Sequence, residues 1–112
     1  MKKILSFVVI LLTYSGSAYG AYQCTVNINK VLIYANGSVN IHHSGRNDYT
    51  VICNLNVPRD GVGIATCAMW SSMLQNIKKN SGKAHFYYSG DGDCSTLPTY
   101  GNAPTPVYIG DM

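Results

Sequence analysis

The sequence contains no glutamate, and its acidic residues are only Asp48, Asp60, Asp91, Asp93 and Asp111. A calcium loop needs oxygen ligands at fixed spacing closed by a glutamate. Gly90-Asp91-Gly92-Asp93 therefore reads as a turn. Glycoside hydrolysis needs a carboxylate pair, which loop aspartates alone would have to supply. No C-x-x-C pair occurs. Cys24, Cys53, Cys67 and Cys94 stand 29, 14 and 27 residues apart, which is not a zinc spacing. Ser71-Ser72 has no G-x-S-x-G context. His42 and His43 are adjacent on a strand pattern, so they point to opposite faces and do not share a metal. One is expected half-buried and the other in solvent. The expectation is a chain with no catalytic, cofactor-binding or metal-ligating residues, and so not an enzyme.

A long apolar run is also missing. Ile4 to Leu12 is apolar apart from Ser6, well short of the roughly 20 residues that span a bilayer. Lys2 and Lys3 precede it, and Ser15-Gly16-Ser17-Ala18-Tyr19-Gly20 follows with small residues suited to a cut before Ala21. Residues 1–20 read as a secretory signal peptide, and 21–112 as one domain with no membrane span. The protein is expected to be exported, to the periplasm or outside the cell. Without Lys2 and Lys3, six basic residues face five aspartates, a net charge of +1. There is no basic stripe, so nucleic acid is not an expected partner. Four cysteines in an exported chain imply two disulfides.

What is present is alternation. Cys24, Val26 and Ile28 alternate with polar residues as a half-buried strand. The phase slips at Lys30-Val31, which predicts a bulge near Lys30. Asn36-Gly37 predicts a two-residue type I′ hairpin turn with positive φ at both positions. Ser38 to His43 is the return strand, with Val39 and Ile41 on one face. A third strand puts Tyr49, Val51, Cys53 and Leu55 on one face. Asn56 to Ala65, with Arg59-Asp60-Gly61, reads as a loop or short extra hairpin.

Cys67 to Gly82 is the only helical stretch. Trp70, Met73, Leu74 and Ile77 form one apolar stripe and are the expected structural core. Thr66 is the expected N-cap and Gly82 the expected C′ residue. Lys83 to Ser89 is the fourth strand, with Ala84, Phe86 and Tyr88 on one face. Thr105 to Ile109, carrying Pro106, is an edge strand.

The order β-β-β-α-β-β, mainly β with one helix, predicts an OB-fold-like five-stranded Greek-key barrel. In that barrel the first strand pairs with the fourth. Of the three possible disulfide pairings, Cys24–Cys94 with Cys53–Cys67 then fits best.

The runs Tyr49-Thr50-Val51-Ile52-Cys53, Ala65-Thr66-Cys67-Ala68, then Trp70 and Leu74, and Gly82-Lys83-Ala84-His85-Phe86-Tyr87-Tyr88 resemble the core of small AB5 toxin B subunits. The subtilase-cytotoxin and pertussis-like type is the nearest in pattern. The resemblance covers about Tyr49 to Tyr88. It implies a secreted OB-fold that assembles with copies of itself and binds glycans. No sugar-binding residue carries over, because the family's sialic-acid motif has no counterpart here.

Function is therefore expected to be non-enzymatic binding, of a glycan or a protein partner. Tyr34, Tyr49, Tyr87, Tyr100 and Tyr108 are the candidate contacts. Tyr100 and Asn102, in the loop Leu97 to Pro104, are the expected ligand-binding residues. The alternative is a structural or assembly subunit, a homo-oligomer presenting Ser71, Ser72, Gln75, Asn76, Lys78 and Lys79 from the helix.

Overall fold

A computed structural model describes residues 20–112. The signal peptide expected over 1–20 lies outside the described residues apart from Gly20. The chain runs β1 (Ala21–Ile33), β2 (Ser38–His43), β3 (Asp48–Asn54), α1 (Ile64–Lys79), β4 (Lys83–Ser89), a short 3-10 turn (Cys94–Thr96) and β5 (Tyr108–Asp111). The five strands make one antiparallel sheet in the order β3-β2-β1-β4-β5.

β1 is the axis of this sheet. Its first half, Ala21 to Asn27, pairs with β4, and its second half, Ile28 to Ile33, pairs with β2. The register shifts between Ile28 and Lys30, where the hydrophobic phase slips. The extra residue, Asn29, lets one strand serve two neighbours without turning its apolar set to solvent.

The sheet is not closed. No strand ladder joins β3 to β5 among the described residues, so the closed barrel expected from the element order is not what forms. β5 is four residues long and begins after Pro106, three residues later than expected. The chain before it meets β3 at one parallel bridge, Thr50 with Tyr100.

One turn differs from expectation, and the short extra hairpin expected in Asn56 to Ala65 forms. At Asn36-Gly37 only Gly37 has positive φ, 92°. Gly37 N–H donates to the Tyr34 carbonyl at 2.8 Å, and Tyr34 N–H to Ser38 at 2.9 Å. That is a three-residue loop with the glycine in the left-handed position, which absorbs the strand twist as well as a type I′ turn does. The turn with positive φ at both central residues is Asp60-Gly61 (48° and 85°). It closes a small hairpin through reciprocal bonds between Arg59 and Val62.

β3 also departs from simple alternation. Val39 pairs with Cys53, but Asn40 pairs with Val51. Ile52 is the extra residue, so Val51 and Cys53 lie on opposite faces rather than on one. The bulge turns Thr50 toward the core beside Ile41, and Thr50, Ile52 and Cys53 are all fully buried.

Helix α1 packs chiefly on β1 through buried Cys67, Trp70, Leu74 and Ile77, with Met73 half-buried at the margin. It begins three residues before Cys67. Gly63 is the N-cap and makes no side-chain cap bond, so Thr66 sits in the first turn. At the other end Gly82 N–H donates to Ile77 and Ser81 N–H to Lys78, a Schellman closure. Ser81, at φ 55°, takes the left-handed position expected of Gly82, which falls one residue later. Ser71, expected on the exposed face, is buried. The side of the helix without a sheet beneath it carries exposed Ile64 and Met69 as well as the polar residues.

Disulfides join Cys24 to Cys94 and Cys53 to Cys67. The first ties the start of β1 to the loop after β4. The second ties the end of β3 to the first turns of α1.

Candidate functional site

The β1–β2–β3 half of the sheet brings a row of polar and aromatic side chains to its outer face. Lys30 pairs with His42, and His42 pairs with Tyr49. Directly paired residues share a face. The Asn29 amide nitrogen lies 3.0 Å from His42 Nδ1. An amide nitrogen only donates, so Nδ1 accepts and the ring proton sits on Nε2. His42 meets the Tyr49 ring edge-on, with centroids 5.1 Å apart. Tyr49 in turn stacks with Tyr100 at 5.6 Å and 27°. At strand spacing, the row from Lys30 to Tyr100 spans about 14 Å.

Tyr100 reaches this row by an unusual route. Its φ is 51°, a conformation that is a genuine outlier for a bulky side chain. The backbone is held there by β3. Tyr100 N–H donates to the Tyr49 carbonyl at 2.8 Å, and Val51 N–H donates to the Tyr100 carbonyl at 3.1 Å. The residue nonetheless remains 47% exposed. One face lies against Tyr49 and the rest meets solvent. Strain of this kind costs about 1–3 kcal/mol and persists where the surroundings over-determine it.

The surroundings here are the Arg59 hairpin. The Arg59 guanidinium donates to the Gly101 carbonyl (3.1 Å), the Ala103 carbonyl (3.1 Å) and Thr105 Oγ1 (3.3 Å). Thr105 Oγ1 donates on to Asp60 Oδ2 at 2.9 Å. Asn102, in the same turn, is exposed, and its N–H donates to Thr99. In the sequence Arg59 is only part of a loop or short extra hairpin. A lone arginine beside a two-residue Asp-Gly turn carries no signal of what it reaches more than forty residues away.

The tyrosines singled out in the sequence do not form one cluster. Tyr34 donates no ring to the row; its hydroxyl accepts from buried Asn40 at 3.1 Å. Tyr87 and Tyr108 stack on each other at 5.1 Å, at the β4–β5 end of the sheet, with His85 against Tyr108 at 5.8 Å. A shallow polar cleft of about 350 Å3 lies between the β1 bulge and the end of α1, lined by Asn27, Ile28, Asn29, Lys78, Ser81 and Gly82. It has no aromatic wall and is separate from Tyr100.

The adjacent histidines face opposite ways, as alternation requires, but neither is a solvent histidine. His42 is half-buried on the outer face. His43 is fully buried against Phe86, and its Nδ1 accepts from Gly45 N–H at 3.1 Å. Burial, and then the nearby His42 and Arg46, push the His43 imidazole down to about 4. Between the ordinary value of about 6.5 and about 4, the unfolded chain takes a proton that the folded chain refuses. Stability is therefore present at neutral pH and is lost on acidification through that window, by about 3 kcal/mol in all. His43→Asn keeps an acceptor for Gly45 and removes the titration. Urea midpoints for this variant should fall much less between pH 7 and about pH 4 than those of the unaltered protein. Equal slopes would show that His43 does not set the dependence. Asp93, held low by the side-chain and backbone bonds from Ser95, acts only below that range.

Comparison with protein-family models, curated protein sequences and solved structures finds no match to this chain. Among the described residues no three His, Cys, Asp or Glu side chains gather into a metal-binding group. No described helix is long and apolar enough to cross a membrane.

Proposed function

We propose that this protein is an exported, non-enzymatic binding module that takes a carbohydrate on the outer face of β2 and β3. The observation that carries the reading is Tyr100. A bulky residue held in the left-handed region by two backbone bonds, left 47% exposed and stacked on a second tyrosine, is costly to build for packing alone. An exposed aromatic face beside amides and an imidazole suits a pyranose, whose C–H face stacks while its hydroxyls bond to the rim. Asn29, His42 and Asn102 are the rim residues.

Further support comes from architecture. The element order, with β1 shared between β2 and β4, suits an OB-fold left open between β3 and β5. The β2–β3 face and the β4–β5 loop are where such folds bind oligosaccharides. The resemblance to AB5 toxin B subunits points the same way. Two disulfides accord with an oxidising compartment.

The test is an array of immobilised oligosaccharides that includes lactose and chitobiose, with Tyr100→Asn beside the unaltered protein. Asparagine tolerates positive φ, so this variant keeps the loop and removes the ring. Binding should drop at least tenfold, as loss of a stacked ring worth about 1.5 kcal/mol implies, while the thermal midpoint stays close to that of the unaltered protein. Binding unchanged in the variant, or none to any glycan, would count against the site.

A second reading, an assembly subunit, is favoured by exposed Ile64 and Met69 on the helix and by Val107, Tyr108 and Met112 at the β5 edge. Light scattering decides it: a mass of one chain removes the homo-oligomer.

A further inference from the structure

Two loops meet at Tyr100, and each is anchored covalently at its root. The loop Asn54 to Gly63 leaves β3 beside Cys53 and is closed by the Cys53–Cys67 bridge. The loop that carries Tyr100 begins at Cys94, fixed to β1 by the Cys24–Cys94 bridge. Beyond those anchors the two loops are joined by a small set of contacts from one hairpin. Arg59 supplies three donors to Gly101, Ala103 and Thr105, and Asp60 accepts from Thr105. The hairpin itself is rigid, with reciprocal Arg59–Val62 bonds around Asp60-Gly61. The two carbonyls that Arg59 holds flank Asn102, and Gly101 directly follows Tyr100. A guanidinium presents its donors as a fixed planar fork. Gripping those carbonyls sets the course of the chain immediately after the strained residue.

We infer that Arg59 is a positioning residue: it latches the Tyr100 loop onto β3 and so presets the binding surface, without itself touching ligand. This rests on the carbohydrate reading for its functional consequence, but the latch itself is read without any ligand. In an unlatched loop Tyr100 relaxes out of the left-handed region more readily, because only the bonds with Tyr49 and Val51, the local turn bonds of Asn102 and Ala103 and the stack on Tyr49 then hold it there. A fraction of molecules then lacks the platform, and apparent affinity falls by that fraction.

The experiment compares the unaltered protein, Arg59→Ala and Arg59→Lys. Amide hydrogen exchange is followed at Tyr100 and Val51, the two bridging N–H groups, and at Phe86 in β4 as a core reference. Retention on lactose-agarose and chitobiose-agarose is followed in parallel. Arg59→Ala should exchange at least tenfold faster at Tyr100 and Val51, with Phe86 unchanged, since local opening is governed by the contacts that close it. Retention should weaken only by the fall in the closed fraction that the exchange data give. Arg59→Lys, one flexible point donor in place of a fork, should fall between the two.

Unchanged exchange at Tyr100 and Val51 in Arg59→Ala overturns the latch. So does equal acceleration at Phe86, which would make Arg59 a general stability residue. If the unaltered protein is retained on neither matrix, the carbohydrate reading fails for those sugars while the exchange result still decides the latch.

Discussion

Replacing Cys24 and Cys94 together by alanine is expected to lower stability by about 4 kcal/mol. The bridge spans 70 residues, and the entropy it withdraws from the unfolded chain grows with the logarithm of that length. Cys24 is fully buried in the core of β1, whereas Cys94 is half-exposed at the start of the 3-10 turn. The bond therefore fixes an irregular loop with three prolines to the most central strand. Net stabilities of small domains are about 5–15 kcal/mol, so this loss is a large share. The Cys53→Ala, Cys67→Ala pair should cost less, about 3 kcal/mol, because its separation is only 14. Urea unfolding of the two double variants gives the comparison. A smaller loss for the Cys24/Cys94 pair than for the other would contradict the loop-length account and point to packing around Cys53 instead.

Trp70→Ala should cost about 3–5 kcal/mol. Trp70 is the only tryptophan. It is 7% exposed and belongs to the core cluster that links α1 with all five strands among the described residues. Alanine leaves a cavity between helix and sheet that rigid, disulfide-tied walls collapse around poorly. Trp70→Phe, which keeps much of the volume, should lose only about 1–2 kcal/mol. Tryptophan emission reports unfolding of the unaltered protein, and far-UV circular dichroism is needed for the variants. An alanine variant as stable as its parent would mean that Leu74, Ile77 and the disulfide hold the helix without Trp70.

Much of the scaffold was legible because it rests on period. Cys24, Val26 and Ile28, and then Ala84, Phe86 and Tyr88, alternate cleanly and form the central β1–β4 pair. The slip at Lys30 announced the bulge, and Trp70, Leu74 and Ile77 announced the helix. What stayed hidden rests on single-residue geometry. Ile52 looks like any strand residue, yet as a bulge it reverses the faces on either side. Asn36-Gly37 and Asp60-Gly61 carry the same turn chemistry, and the flanking register decides which becomes type I′. Ser81 beside Gly82 is a similar near-tie at the helix end.

The candidate site was half visible. Tyr100 stood out as a tyrosine without a strand to explain it, and Asn102 as its polar neighbour. The partners that give it shape were not visible. Tyr49 joins it by stacking and a backbone bond beside the Thr50–Tyr100 bridge, and Arg59 through contacts more than forty residues apart in sequence. Neither leaves a periodic trace. Tyr87 and Tyr108, equal candidates by composition, separate from it because strand order puts β5 and β3 at opposite edges.

The two disulfides are nested: the Cys53–Cys67 loop lies wholly inside the loop closed by Cys24–Cys94. Nested bridges impose no order of threading, so either closes without trapping the other. Chain synthesis and loop length nevertheless favour one sequence of events. Cys53 and Cys67 both emerge before Cys94, and their shorter loop closes about tenfold more readily. The inner bridge, which roots the Arg59 hairpin, is thus expected to be set first. The outer bridge, which roots the Tyr100 loop, closes onto a hairpin already waiting to receive it.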